Sequence, residues 1–298
     1  MSSPLRLFCF GHGYSAAALA ARLASKGARI AGTSRTMEAV AALRRRGVDA
    51  YVFDGARPMA EGREVLREAT HVVVSVPPVT GLGDPVLALH GDDLARSKTL
   101  RWLGYLSTTG VYGDRGGNWV DEATLPCPSG ERGEARLDAE SGWLALWRKR
   151  GVPVHVFRLA GIYGLGRSAL DSVREGGAKR IDKPGQVFSR VHVEDIAAVL
   201  EASIDRPRPG AIYNVCDDEP APPAEVIAFA CDLLGVAPPP LVRFDDIAPT
   251  LSPMARSFYA ENKRVSNALI KHELGVRLRY PDYRCGLRAL LAAEKSTP

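Results

Sequence analysis

The 298 residues contain no run of about twenty apolar side chains, so no segment is suited to cross a bilayer as a helix. A positively charged start followed by a signal-type apolar stretch is also missing. The first apolar run, Leu5–Phe10, stops at a glycine loop. The expected location is the cytoplasm, with no membrane partner. Cysteine is scarce. Cys9, Cys127, Cys216, Cys231 and Cys285 make an odd count without a Cys-x-x-Cys pair, which argues against a disulfide framework and against a zinc site. The six histidines show no metal-ligand spacing, so no metal is expected. Repeats and low-complexity tracts are absent. The net charge is +5, but the basic residues are scattered. The densest run, Arg44-Arg45-Arg46, closes an expected helix, where cations suit the helix dipole. No nucleic-acid-binding motif accompanies the charge. A phosphate-rich small ligand accounts for it more simply.

What is present is an alternation of short apolar runs and helical patterns. Leu5–Phe10, Ala28–Thr33, Asp49–Phe53, His71–Ser75, Trp102–Ser107 and Val154–Leu159 read as strands. Helices are expected over Tyr14–Ser25, Met37–Arg46 and Arg132–Arg150. Strands that are apolar throughout fit a parallel sheet covered on both faces. The second half is less regular. It offers helices over Val193–Ile204, Glu225–Leu234, Val265–Glu273 and Arg284–Glu294, and a strand over Ala211–Val215. The fold class expected is α/β, a Rossmann-like doubly wound parallel sheet with a smaller C-terminal α/β lobe. Residues 1–165 form the dinucleotide domain and 166–298 the lobe, with 187–215 returning to the main sheet.

Gly11-His12-Gly13-Tyr14-Ser15-Ala16 follows the first strand and opens the first helix, a G-x-G-x-x-G/A pattern. The first glycine makes the tight turn, and the second lets the backbone approach a pyrophosphate. The small third residue lets helix and strand pack closely. The pyrophosphate then meets free N–H groups at the helix N-terminus. The second strand ends in Gly32-Thr33-Ser34-Arg35, with no acidic residue to take ribose hydroxyls. Arg35 offers a planar fork for a 2′-phosphate, and Thr33 and Ser34 add hydroxyls. NADP is therefore expected in preference to NAD. Asp54, after the third strand, either meets the adenine amino group or caps a turn with Gly55.

These residues resemble the short-chain dehydrogenase/reductase superfamily, and within it the extended branch of NAD-dependent epimerases and dehydratases. The resemblance spans nearly the whole chain. It rests on the glycine loop, on Leu106-Ser107-Thr108-Thr109-Gly110-Val111-Tyr112-Gly113, and on Arg158-Leu159-Ala160-Gly161-Ile162-Tyr163-Gly164. Val191-His192-Val193-Glu194-Asp195-Ile196-Ala197 and Tyr213-Asn214-Val215 extend it. It implies that Thr108 hydrogen-bonds the reacting oxygen. It also implies that Ser75, Val76 and Pro77 cover the adenine-side ribose and the nicotinamide. The following stretch, Val79–Pro85, is either a lid or a plain connection.

The family's Tyr-x-x-x-Lys pair is where the chain departs. Arg132 holds the tyrosine place and Arg136 the lysine place. An arginine keeps its proton at physiological pH and cannot serve as a general acid. Arg136 can still hold a ribose or phosphate, and Arg132 can clamp an anionic substrate. Tyr112 and Tyr163 are the remaining candidates for proton donor, each with packing as the alternative; His192 is expected to be structural. Trp143 and Trp147 either form a homodimer face or belong to the core. The sequence therefore supports two readings. One is an NADP-dependent oxidoreductase or epimerase acting on a small, anionic or nucleotide-sugar substrate. The other is a non-catalytic NADP-binding sensor or scaffold.

Overall fold

Seven apolar runs of four to seven residues become the strands of one sheet. They are β1 (Arg6–Phe10), β2 (Arg29–Ser34), β3 (Asp49–Val52), β4 (His71–Val74), β5 (Trp102–Thr108), β6 (Val154–Leu159) and β7 (Ile212–Val215). The order is β7-β6-β5-β4-β1-β2-β3, and every neighbouring pair is parallel. Parallel neighbours need crossover helices, and these supply both covering layers. The computed structural model describes residues 4–79 and 81–295.

The helices that matter below are α1 (Tyr14–Ala24), α2 (Met37–Arg45), α3 (Gly62–Glu68), α4 (Pro85–Arg96), α5 (Glu131–Arg150), α6 (Ala169–Arg174), α7 (Val193–Asp205) and α8 (Pro223–Leu234). On one face, Leu19 and Leu23 of α1 and Ile196 and Leu200 of α7 cover Leu7, Cys9, Phe157 and Tyr213. On the other, Leu66 of α3, Leu94 of α4 and Trp143 of α5 cover Phe8, Phe10, Val72, Val74 and Tyr105. A smaller core of Tyr163, Leu170, Val226, Tyr283 and Leu287 holds the C-terminal lobe together.

The chain runs from β1 outward to β3, then returns to β4 and builds in the opposite direction. The strand order thus reverses between β1 and β4. In open α/β sheets this switch point opens the crevice that receives ligands at the carboxyl ends of the strands. It brings the segments after β1, β2, β4 and β5 together.

Several expectations need correction. No pattern in the sequence pointed to α3, and α4 starts inside the stretch considered as a lid. Asp84 is its N-cap, accepting the Leu87 N–H at 2.9 Å, and Pro85 fills the first helical position. The remainder is a short turn in which Val79 bridges Gly83; Thr80 lies outside the described residues. Within 187–215, only Ile212–Val215 enters the main sheet. Arg190–His192 pairs instead with Gly161–Tyr163 in a two-stranded ribbon. Trp143 is core, its indole N–H donating to Asp84 at 3.0 Å. Trp147 is half-buried under Gly210, where an added Cβ would lie 2.3 Å from the indole.

Candidate functional site

The glycine loop is held from below. Gly11 has φ +79°, a conformation that favours glycine, and its N–H donates to Thr33 Oγ1 at 2.8 Å. The Ser75 hydroxyl donates to the Gly11 carbonyl at 2.6 Å. Thr33 is therefore turned inward as a strut, and is not the outward-facing hydroxyl the sequence suggested. A Cβ on Gly11 would lie 2.9 Å from Ser75 Oγ. Gly13 is the N-cap of α1, exposed, and has nothing within 4 Å of a virtual Cβ. The N–H groups of the first helical turn have no acceptor within the helix. A phosphate can approach them closely.

Around this cradle, Ser15 is buried and Tyr14 half-buried. The Tyr14 hydroxyl donates to the Leu165 carbonyl at 3.0 Å, and the Arg167 guanidinium sits 5.8 Å from its ring centre. Ser34 is half-buried at the tip of β2, and Arg35 is exposed with no side-chain partner among the described residues. Val76 is half-buried and Pro77 exposed after β4. Asp54 accepts the Ala56 N–H through Oδ1 at 2.9 Å, as the capping alternative expects. The His12 ring lies beside Gly32, and both its nitrogens are covered and unpartnered. These features fit a dinucleotide: a glycine that must be glycine, open helical amides, and orphaned polar atoms beside the adenosine end.

Thr108 closes β5. Its Oγ1 accepts the Gly110 N–H at 3.1 Å, which leaves the hydroxyl hydrogen free to donate to an oxygen. Arg132 is exposed in the first turn of α5. Arg136 is half-buried, donates to the Leu106 carbonyl at 2.6 Å, and lies 5.8 Å from the centre of the Tyr105 ring. It is therefore tied back to β5.

Tyr112 is not at the mouth of the cleft. It is fully buried, donates its hydroxyl to Asn214 Oδ1 at 2.8 Å and accepts from Arg158 Nη1 at 2.9 Å. Burial raises its pKa, so it holds its proton. Arg158 in turn grips Glu140, with Nη2 to Oε2 at 2.7 Å and Nε to Oε1 at 3.1 Å. Ser107 donates to Glu140 at 2.5 Å. Glu122 accepts the Asn214 N–H at 2.7 Å. This network escaped the sequence reading, although Arg158 and Asn214 each sat in a quoted motif. The available signal was a charged or amide residue inside an otherwise apolar strand.

Beyond the Tyr14–Leu165 contact opens a cavity of about 450 Å³, lined by Tyr163, Arg167, Ser168, Lys179, Arg190 and Tyr283. Tyr163 is buried against His192, and burial pushes its pKa well up. His192 Nδ1 caps α7 by accepting the Glu194 N–H at 3.2 Å, the structural role expected. Behind the cavity wall, both carboxylate oxygens of Asp217 are covered and unpartnered. Burial moves this carboxyl up to about 8, with Arg190 opposing the shift. Among the described residues no group of three or more His, Cys, Asp or Glu could hold a metal ion, and no helix is long and apolar enough to cross a membrane.

No protein-family model matches the chain. It is 27% identical to Protein YeeZ of Escherichia coli (strain K12) over 281 residues, covering 91% of this chain and 95% of that one. A conserved, functionally unknown protein from Silicibacter pomeroyi DSS is 53% identical, with a TM-score of 0.87 over 98% of this chain and 99% of that one. The dTDP-glucose 4,6-dehydratase from Bacillus anthracis str. Ames, solved in complex with NAD, superposes with a TM-score of 0.77 at 16% identity, covering 99% and 97% of the two chains.

Proposed function

We propose that the chain is an atypical member of the extended short-chain dehydrogenase/reductase family of NAD-dependent epimerases and dehydratases, whose solved members share its fold, and that it is a cytoplasmic NADP-dependent oxidoreductase or epimerase for a small anionic substrate. The observation that carries this is the company kept at the switch point. A phosphate-ready glycine loop, a β2 tip that ends in Ser34-Arg35 without an acid, and the free hydroxyl of Thr108 all lie at the carboxyl ends of strands of the one sheet.

When bound, the nicotinamide supplies hydride chemistry. In this reading the amides from Gly13, Tyr14 and Ser15 hold the pyrophosphate, and Ser34 and Arg35 hold the 2′-phosphate. Ser75, Val76 and Pro77 cover the ribose and nicotinamide, and Arg136 steadies the nicotinamide ribose. Thr108 donates to the reacting oxygen. Arg132 binds a negative group on the substrate, whose distal part extends toward Arg167, Lys179 and Arg190. A nucleotide sugar, the kind of substrate named for the B. anthracis enzyme, would suit these cations. Residues 1–165 serve the cofactor and 166–298 the substrate.

One observation favours the alternative, a non-catalytic NADP sensor. Tyr112 is locked inside the protein, and arginines hold the places of the acid and its lysine. Two experiments test these readings, the first the cofactor and the second the choice between enzyme and sensor. The first is thermal unfolding with NADPH, NADP⁺, NADH and NAD⁺, where a ligand at 100 times its Kd adds about 2.7 kcal/mol. Stabilisation confined to the NADP forms supports the cofactor reading, and stabilisation by the NAD forms refutes the role given to Arg35. The second is cofactor-coupled turnover on nucleotide sugars. Turnover abolished by Thr108→Val establishes the enzyme; its absence across the screen leaves the sensor.

A further inference from the structure

The cavity beyond the Tyr14–Leu165 contact has two unlike sides. Its volume of about 450 Å³ falls in the range of small-molecule sites. One side is apolar, built by Pro223, Val226 and Ile227 of α8 and by Tyr283 and Leu287 of the C-terminal helix Tyr283–Lys295. Val226, Tyr283 and Leu287 are buried and belong to the core of the lobe, so this wall is firm. Its side chains offer a ligand a single polar group, the Tyr283 hydroxyl.

The other side carries the charge. Arg190 Nη1 is anchored, donating to the Phe188 and Ala221 carbonyls at 2.8 and 3.0 Å, while Nε and Nη2 bond to nothing among the described residues. Arg167 and Lys179 line the same space, exposed and without an ion-pair partner among the described residues. The nearby carboxylate and hydroxyls are largely committed. Asp171 accepts the Ser168 N–H at 2.8 Å and the Ser168 hydroxyl at 2.6 Å, and the Ser172 hydroxyl donates to the Ser168 carbonyl at 3.2 Å. Glu175 is exposed. The carboxyl that acts on Arg190 most strongly is Asp217, whose backbone N–H donates to the Arg190 carbonyl at 2.7 Å. Burial moves it up to about 8, so near neutral pH it keeps its proton and leaves the guanidinium charge uncancelled.

From this we infer that the cavity takes an anion with an apolar body, its phosphate or carboxylate held by Arg190 and its aliphatic or aromatic ring laid on the α8 wall. This rests on the reading above that residues 166–298 serve the substrate, and narrows it. A sugar ring laid on that wall would bring several hydroxyls out of water against side chains unable to bond them, and each unmet group costs free energy. An apolar ring gains from the same burial. The anion is oriented by Nε and Nη2 of Arg190, a fork suited to two parallel charge-assisted hydrogen bonds. Arg167 and Lys179 add attraction without fixing direction.

The test is isothermal titration of the full chain with cyclohexyl phosphate and glucose 1-phosphate, which carry the same anion on an apolar and a hydroxylated six-membered ring, and with UDP-glucose. Cyclohexyl phosphate should bind at least about tenfold tighter than glucose 1-phosphate, the worth of about two buried methylenes. Arg190→Gln should weaken cyclohexyl phosphate about tenfold, the loss of a hydrogen bond to a charged group. Ile227→Asn should erase its advantage over glucose 1-phosphate. The comparison on wild-type protein stands even if a variant fails to fold. Glucose 1-phosphate or UDP-glucose bound as tightly as cyclohexyl phosphate overturns this inference, and weakening of that binding by Arg190→Gln leaves the substrate reading in place. Cyclohexyl phosphate binding that neither variant changes also overturns the inference. Wild-type protein that binds none of the three overturns both.

Discussion

Around the tips of β5 and β6, Ser107, Glu140, Arg158 and Tyr112 bond to one another and are closed to solvent. Around the tips of β1 and β2, His12 and Arg35 show no side-chain partner among the described residues. Both groups sit at the carboxyl edge of the same sheet. The first behaves as part of the scaffold, since a buried polar network is stable only when its members are satisfied. The second is receptive, because its bonding capacity is still available to a ligand. Polarity at a strand end thus says little about function until one asks what each atom is bonded to.

The largest expected effect falls on the closed network. Glu140→Leu leaves the Arg158 guanidinium buried without its counter-charge and should destabilise the fold by about 3–5 kcal/mol in urea unfolding. Adding Arg158→Met should recover much of that loss, because an apolar pair replaces the ionic one. If the single substitution costs under about 1 kcal/mol, near the value of an exposed pair, the network is not the scaffold described here.

On the receptive side, Arg35→Ala should scarcely alter the melting temperature. It should weaken NADPH by about ten- to a hundredfold, the range for a lost hydrogen bond to a charged group, and leave NADH alone. Fluorescence titration of both cofactors checks this. Uniform weakening would remove Arg35 from the receptive group.

The pH profile sharpens the contrast further. His71, His155 and His192 are held at about 4 by burial, below the usual 6.5. Their folded forms resist the proton that the unfolded chain accepts, so stability should fall as pH drops from about 6.5 through 4. Asp217 acts in the opposite direction. Its folded form keeps a proton that the unfolded chain releases near pH 4, so its contribution is lost as pH rises through about 8. Asp217→Asn should flatten the alkaline decline while leaving the acid decline in place, as read from denaturation midpoints at pH 5, 7 and 9.

The smallest effect is expected at Asp54. It caps its turn, so Asp54→Ala should cost about 1 kcal/mol or less, the scale of a single local hydrogen bond, with no change in affinity for either cofactor.

How much of this was legible in the sequence depended on distance along the chain. The glycine loop and the acid-free β2 tip are local patterns, and the alternating runs gave all seven strands to within a residue or two. The helices α3 and α4 were missed for different reasons. α3 has only seven residues, too few to display a period. α4 announces itself by Asp84-Pro85, a cap and a first-turn proline, but these follow so many loop-forming residues that they read as more loop. The Tyr112 network was out of reach because its hydroxyl partner Asn214 lies 102 residues away. Similarly, the orphaned nitrogens of His12 exist only once Gly32 has been brought beneath the ring.

The carboxylate of Glu122 on the Asn214 amide bears on how this molecule meets its neighbours. β7 is the outermost strand on its side, and an outer strand ordinarily displays a row of donors and acceptors that another chain can extend into a ladder. Here the loop before α5 folds back and occupies one of those donors midway along a four-residue strand. With that donor taken and Tyr213, Asn214 and Val215 buried, this flank offers another chain less open backbone to extend.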